Sequence, residues 1–181
     1  MSADPVREFE AYRDELLARL GDRDPVHVLA HTPARLEARL SGLPDEVLAK
    51  RPRAGAWSVK EVVGHLGDSE WVYGYRLRLM LSHDRPAIAG YDQDVMVTGM
   101  AHNDRPVSML LEEYRRLRGL NVDLYLRTKG PAWERVGLHS ERGDESVGFS
   151  IALLAGHDLR HTDQIERTLK EVQLSDSGGP E

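Results

Sequence analysis

Two histidines four residues apart stand in the last long segment with helical periodicity, AGHDLRHTDQIERTL at residues 155–169. Successive residues of an α-helix turn by about 100°, so His157 and His161 project from the same side, one turn apart. Leu154 and Ile165 point nearly the same way as His161, so the pair faces the interior or a seam between helices. Two imidazoles so placed can bind one metal ion. The spacing equally allows two core histidines bonded to carboxylates or carbonyls, because a buried ring nitrogen needs a partner.

A third candidate, His65, lies in an earlier helical segment with a strong apolar stripe. The residues of that stripe are Val59, Val62, Val63, Leu66, Tyr73, Leu77 and Met80. His65 stands at the edge of the stripe, between Gly64 and Gly67, which permit close approach of another helix. From these residues alone, His65 is either a metal ligand or a histidine in a seam with a local hydrogen bond.

The remaining histidines carry weaker signals. His27 and His31 also have a spacing of four, but Thr32 precedes Pro33, which disfavours helical geometry at Thr32. We therefore predict a helix break beside this pair, so that the two imidazoles need not align. The last three histidines fall in or beside predicted loops and are expected on the surface, namely His83, His102 and His139.

Helical periodicity dominates the chain, and no segment alternates like a strand. The predicted helices cover residues 5–20, about 32–41, 58–81, 107–128 and 147–172. Ser58 and Glu61 form a capping box at the start of the third helix, and Trp57 can pack on Val62 as a hydrophobic staple. Residues 84–106 are a long connection, and residues 130–146 are polar and contain glycine.

Four helices of bundle length predict an all-α fold, a four-helix bundle with an extra N-terminal helix. The two long connections predict crossovers rather than simple hairpins. We expect an N-terminal helical extension at residues 1–24, the bundle at residues 25–173 and a disordered tail at residues 174–181.

Composition limits the functions open to this protein. The 181 residues are 40% hydrophobic and 30% charged, which suits one globular domain. The net charge of −6, with no basic cluster, argues against nucleic acid as a partner. No apolar run is long enough to span a bilayer, and the N-terminus lacks a signal-peptide core, so we expect a cytoplasmic protein without membrane contact. Cysteine is absent, so any metal must be held by histidine or carboxylate.

Three motifs together resemble the DinB/YfiT-like superfamily of metalloenzymes, in its DinB-like type 2 branch. They are WSVKEVVGHLGDSE at residues 57–70, GYDQD at residues 90–94 and the double-histidine segment at residues 155–169. The resemblance extends from about Thr32 to Leu169. It implies a four-helix bundle with crossover topology and a site of three histidines. The matching positions here are His65, His157 and His161.

The resemblance also implies a divalent ion, such as zinc, nickel or iron, and a low-molecular-weight thiol such as mycothiol or bacillithiol as cosubstrate. It implies a homodimer and a small-molecule substrate. The function expected on this basis is that of a metal-dependent thiol transferase or hydrolase acting on small molecules. The alternative is a metal-binding or stress-linked interaction protein without turnover.

Three neutral imidazoles leave a coordination position open, as in catalytic rather than structural metal sites. Asp68, one turn past His65, and Asp158, beside His157, are predicted to orient the imidazoles. Gln164 is predicted to touch the substrate or a water at the ion, and with Asp68 it completes the candidate catalytic set. Glu70 points nearly opposite His65, which argues against ligation. Asp92 and Asp94 are candidates for the mouth of the metal site and are equally explained as surface carboxylates or helix partners. Arg76 and Arg160 could pair with a substrate carboxylate, although such arginines more often form salt bridges.

Overall fold

A computed structural model describes the backbone of residues 5–177 and the side chains of residues 9–174. Its helices are α1 (Pro5–Leu20), α2 (Pro25–Leu40), α3 (Asp45–Leu48), α4 (Val59–Ser82), α5 (Gln93–Met100), α6 (Val107–Thr128) and α7 (Val147–Ser177). Short 3-10 turns cover His102–Asp104 and Pro131–Glu134, and the strands are β1 (Ala87–Ile88), β2 (Val136–His139) and β3 (Gly143–Ser146). Within this described part, no helix is long and apolar enough to cross a membrane.

The bundle consists of α2, α4, α6 and α7, as predicted, with α1 as the additional N-terminal helix. Helix α2 packs mainly against α6 and α7, and α4 packs against the same two helices. The order around the bundle is therefore α2, α6, α4, α7. The pairs α2 and α4, and α6 and α7, follow each other in the chain yet occupy diagonal corners. Their connections cross the bundle, which confirms the predicted crossovers.

Helix α4, which carries His65, begins where the sequence predicts. The Ser58 hydroxyl accepts a hydrogen bond from the Glu61 amide, and the Glu61 carboxylate accepts one from the Ser58 amide. The capping box is therefore complete. The guanidinium of Arg51 also donates to Glu61. The cap fixes the first turn of α4 and thereby the direction in which His65 projects.

Helix α2 begins earlier than predicted, at Pro25, with the Asp24 side chain accepting the His27 amide. The prediction of a break at Thr32 is wrong, because Thr32 and Pro33 lie inside the helix and are both buried. Proline lacks the amide that would bond to the carbonyl four residues earlier, at Leu29.

That freed Leu29 carbonyl instead accepts a hydrogen bond of 2.9 Å from the guanidinium of Arg118 on α6. A bond between helices thus replaces a bond within one helix. A pattern based on local preference cannot contain this partner, because Arg118 is 89 residues away in the chain.

Arg118 is also the centre of a buried polar network that joins all four bundle helices. Its guanidinium lies 2.6 Å from Asp158 on α7 and 2.7 Å from Glu70 on α4. The Tyr114 hydroxyl donates to Asp158, and the Asn121 amide donates to Glu70. Two carboxylates compensate the buried cation, so the helices are fixed in one register.

No alternating pattern marks a strand in the sequence, yet the structure contains three short strands. Strand β2 pairs parallel to β1 and antiparallel to β3, forming a three-stranded sheet at one end of the bundle. Residues 84–106, predicted as a plain connection, also contain α5. Strands of two and four residues are too short for alternation to be visible in the sequence.

Helix α1 packs on α7 at a position without a side chain. A Cβ placed on Gly156 would overlap the Leu16 carbonyl, so only glycine permits this approach. Leu20 of α1 belongs to the same buried cluster as Leu154 of α7. Helix α7 continues to Ser177, into the segment predicted as a tail at residues 174–181. Residues 178–181 lie outside the described part.

Candidate metal centre

Helices α4 and α7 bring His65, His157 and His161 together in the interior. One ring nitrogen of each lies within 4.8 Å of the others. All three side chains are buried, at 1%, 8% and 1% exposure in that order. The i,i+4 spacing acts as predicted, because the rings of His157 and His161 have centroids 4.2 Å apart. The sequence places His65 at the edge of the apolar stripe, whereas the structure buries it fully.

Ring nitrogens of two histidines face each other in this cluster. The Nε2 atoms of His65 and His157 are 3.0 Å apart. Only one of these two nitrogens can carry a proton in that contact. A hydrogen bond therefore uses the lone pair of one nitrogen, whereas a metal ion could bind the lone pairs of both. Nε2 of His161 is buried and has no hydrogen-bond partner among the described residues. An unpartnered buried acceptor of this kind fits a metal ion.

Gln164 determines which nitrogen of His161 is available. Its Oε1 lies 2.8 Å from Nδ1 of His161, so Nδ1–H donates and the Nε2 lone pair faces the other histidines. Gln164 thus has the orienting contact that the sequence assigns to carboxylates. It also lines a cavity outside the cluster, so its predicted contact with a substrate stays a prediction.

Burial keeps the three imidazoles neutral. It lowers the pKa of His65 to about 3 and that of His161 to about 4, and it lowers the pKa of His157 well below its usual value. The neighbouring histidines lower the pKa values of His65 and His157 further, and Arg160 lowers all three. Neutral imidazole is the form that binds metal, so the cluster offers its lone pairs at neutral pH.

Trp57 covers one side of the cluster, a role that the sequence analysis did not predict. Its ring centroid lies 4.8 Å from that of His65, and it stacks at 6.2 Å on His161 with an interplanar angle of 14°. The same side chain packs against the buried cluster that contains Val62. The sequence signals for this residue are its position immediately before the helix cap and its place at the start of the motif at residues 57–70.

Asp68 does not orient His65, contrary to the prediction. Its Oδ2 lies 2.8 Å from Nε2 of His102, in the 3-10 turn after α5. Nδ1 of His65 has no partner among the described residues. His102 is 3% exposed and packs on Gly64, so its predicted surface position is also wrong. Asp68 and His102 form a polar pair on the α4 side of the cluster.

The other two carboxylates near the histidines, Asp158 and Glu70, belong to the buried polar network around Arg118. Asp158 is fully buried and bonded to Arg118 and Tyr114, so the predicted contact with His157 is wrong. Glu70 also pairs with Arg118, which agrees with the expectation that it is not a ligand. Among the described residues, the three histidines are the only group whose ligand atoms converge in this way.

Two cavities flank the histidines. The smaller, of about 310 Å³, reaches His161 and Gln164 and is bordered by Trp57 and Arg160. The larger, of about 680 Å³, reaches His157 from the side of α1 and the small sheet. A ligand could therefore approach the cluster from either side.

The GYDQD acids lie at the mouths of these cavities rather than at the histidines. Asp92 caps α5 by accepting hydrogen bonds from the backbone amides of Asp94 and Val95. Asp92 and Asp94 are both exposed. Arg160 pairs with Glu15 at 3.5 Å.

Two further expectations about histidines need correction. His139 is predicted on the surface, but it is 5% exposed and lines the larger cavity. His27 and His31 do align, because α2 continues through Pro33, and their ring centroids are 4.1 Å apart on the exposed face. His83 is exposed, as predicted.

Comparison with known proteins assigns the chain to a family. Residues 29–165 match the family profile of the DinB superfamily, which covers more than half of the chain. The chain belongs to the DinB superfamily. The DinB match starts in α2 and ends in α7 beyond His161, so it includes all three histidines. The resemblance derived from the motifs is confirmed.

Relatives within the DinB superfamily carry names that refer to metal. Two proteins of Oceanobacillus iheyensis, each named a "putative metal-dependent hydrolase", are 28% identical to this chain. One alignment covers 80% of both chains, and the other covers 92% of this chain and 95% of the relative. The structure of YfiT from Bacillus subtilis is similar with a TM-score of 0.70 and 26% identity, over 79% of this chain and 84% of YfiT. YfiT is described as a "probable metal-dependent hydrolase with an unusual four-helix bundle topology".

Proposed function

We propose that this DinB protein is a metal-dependent hydrolase of small molecules, in which His65, His157 and His161 hold one divalent ion. The observation that carries the proposal is the convergence of three neutral, buried imidazoles between two cavities. The names of the relatives support the same chemistry. Without a fourth protein ligand among the described residues, a coordination position is left for an exchangeable ligand.

When bound, the ion supplies Lewis acidity, which polarises a substrate carbonyl or acidifies a water or thiol. The protein's own residues orient the histidines and cover them. Gln164 holds His161 in the tautomer that presents Nε2. Trp57 excludes water from one side of the rings. The hydrogen bond between Asp68 and His102 holds both side chains in place on the α4 side of the histidines.

Metal binding tests the first part of the proposal. Protein stripped with a chelator and titrated with zinc is expected to bind one ion per chain, measured by equilibrium dialysis and elemental analysis. His161→Ala should weaken zinc binding about 100-fold or more, beyond the loss typical of an outer partner. The matched control is the double variant His27→Ala, His31→Ala, which removes the exposed helical pair. Equal zinc binding by wild type and His161→Ala contradicts the site.

Turnover tests the second part. The zinc-loaded protein is screened against small esters and amides, with and without a low-molecular-weight thiol, and the products are identified by mass spectrometry. Release of a free acid that stops on chelation and returns with zinc is the expected result. A thiol adduct as the product would indicate the thiol transfer expected from the sequence. Zinc binding without any turnover would favour the non-catalytic alternative.

A further inference from the structure

Arg76 on α4 is a buried cation without a carboxylate partner. Its side chain belongs to a residue that is 7% exposed, and no acid lies within ion-pair distance of it among the described residues. One guanidinium nitrogen donates to the Ala89 carbonyl, and the group packs against two tyrosine rings, with its central carbon 5.6 Å from the centroid of Tyr73 and 5.5 Å from that of Tyr91. Burial lowers the pKa of Arg76, and the charge of Glu145, which is paired with Arg142, opposes this only in part.

Three other arginines of this chain are paired with carboxylates. Arg118, buried in the core, is paired with two carboxylates. Arg142 beside the same cavity lies 2.8 Å from Glu145, and Arg160 lies 3.5 Å from Glu15. Burying a cation without a carboxylate partner costs free energy, and Arg76 differs from these arginines in lacking one.

Arg76 lines the larger cavity, which is also lined by His157 of the proposed metal site. Four aromatic side chains also line it, namely Phe9, Tyr12, Tyr73 and Tyr91, together with Arg142. One buried donor accompanies Arg76: Nδ1 of His139 accepts the Glu141 amide, which leaves the Nε2 of this ring as the N–H.

Two acids also border the cavity, but both are exposed to solvent. Asp92 is committed to the N-terminus of α5, and Glu141 stands at the rim beside Gly90. Among the buried residues of the cavity wall, Arg76 therefore supplies positive charge and His139 supplies an N–H donor, beside four aromatic side chains. A guanidinium in such a setting matches a carboxylate, whose two oxygens its planar fork can bind together.

We infer that Arg76 binds the carboxylate of a substrate that has an aromatic or apolar body, with the cavity between Arg76 and His157 as its binding site. The inference rests on the proposed function, because it takes the cavity next to the histidines as the substrate site. Phenylacetate is a suitable probe, and phenylacetamide is its uncharged match of nearly equal shape.

The test is a calorimetric titration of metal-free and zinc-loaded protein with both probes. Wild type is expected to bind phenylacetate about 10-fold more tightly than phenylacetamide in both forms, because a charge-assisted bond is lost in the amide. Arg76→Gln should abolish that preference. Arg127→Gln, which removes an exposed arginine that lines neither cavity, should retain it.

Arg76→Lys provides a second variant that keeps the charge but loses the planar fork, and it should keep only part of the preference. In wild type, the side-chain N–H resonances of Arg76 should shift with phenylacetate and not with phenylacetamide. Equal binding of the two probes by wild type, or a preference unchanged in Arg76→Gln, would overturn the inference.

The two proposals fail in different ways. If zinc does not bind the histidines but Arg76 still selects phenylacetate in the metal-free protein, the proposed function fails and this inference stands. If zinc binds and hydrolysis occurs without any preference at Arg76, the inference fails and the proposed function stands.

Discussion

Gln164 controls the site through a single hydrogen bond. It accepts from Nδ1 of His161 at 2.8 Å, and it does so from one turn further along α7. By contrast, Nδ1 of His65 and Nδ1 of His157 are buried without partners in the described part of the chain. His161 is therefore the histidine whose tautomer and ring orientation are defined before any ion binds.

Replacing Gln164 should therefore weaken metal binding. Gln164→Leu removes the acceptor at similar volume and is expected to lower zinc affinity about 10- to 100-fold, the effect of losing an outer partner of a ligand. Gln164→Glu keeps an acceptor oxygen and should retain most of the affinity. Competition with a chromophoric chelator measures both. Equal affinities of Gln164→Leu and wild type would show that the bond does not orient His161.

At the scale of elements, the site depends on how closely α1 and α7 approach. The contact at Gly156 lies next to His157, and α1 also contributes Phe9 and Tyr12 to the wall of the larger cavity. The helix predicted as an N-terminal extension is thus part of the cavity beside the histidines.

Glycine substitutions test this packing. Gly156→Ala should destabilise the metal-free protein by about 1 to 3 kcal/mol, because the new Cβ overlaps the Leu16 carbonyl and forces α1 away. The matched control is Gly119→Ala on α6, which has open space around it and should gain about 0.5 to 1 kcal/mol from helix propensity. Urea unfolding gives both free energies. A gain in stability for both variants would contradict the close contact.

At the scale of the whole molecule, buried neutral histidines make folding depend on pH. The pKa of His161 is lowered to about 4, so between that value and the ordinary pKa the unfolded chain binds a proton that the folded chain does not. The free energy of unfolding is therefore highest above the ordinary histidine pKa and falls as the pH is lowered toward about 4. His65 and His157 act in the same direction.

One variant isolates this effect. Between pH 7.5 and pH 5, metal-free wild type should lose about 2 kcal/mol of unfolding free energy through His161 alone. His161→Gln should lose correspondingly less over the same range, whereas the exposed control His83→Gln should follow wild type. Urea unfolding in the presence of a chelator measures the three slopes. Parallel curves for His161→Gln and wild type would contradict the buried neutral state.

The sequence by itself determined the helices that carry the site. The capping box at Ser58 and Glu61 and the spacing of His157 and His161 are local, so they can be seen in consecutive residues. The family motifs added the third histidine. Apolar periodicity likewise predicts the four bundle helices and α1, because burying one face of a helix requires it.

The tertiary structure alone decided what surrounds the histidines. Pro33 lies inside α2 and has no amide to donate to the Leu29 carbonyl. Arg118, distant in the chain, donates to that carbonyl instead. Asp68 pairs with His102 rather than with His65, and Arg76 is left facing a cavity. Such contacts join residues tens of positions apart, and no local pattern records them. The histidine pair on α7 could be read from its spacing, whereas its neutral charge, its tautomer and the cavities beside it follow from burial between helices.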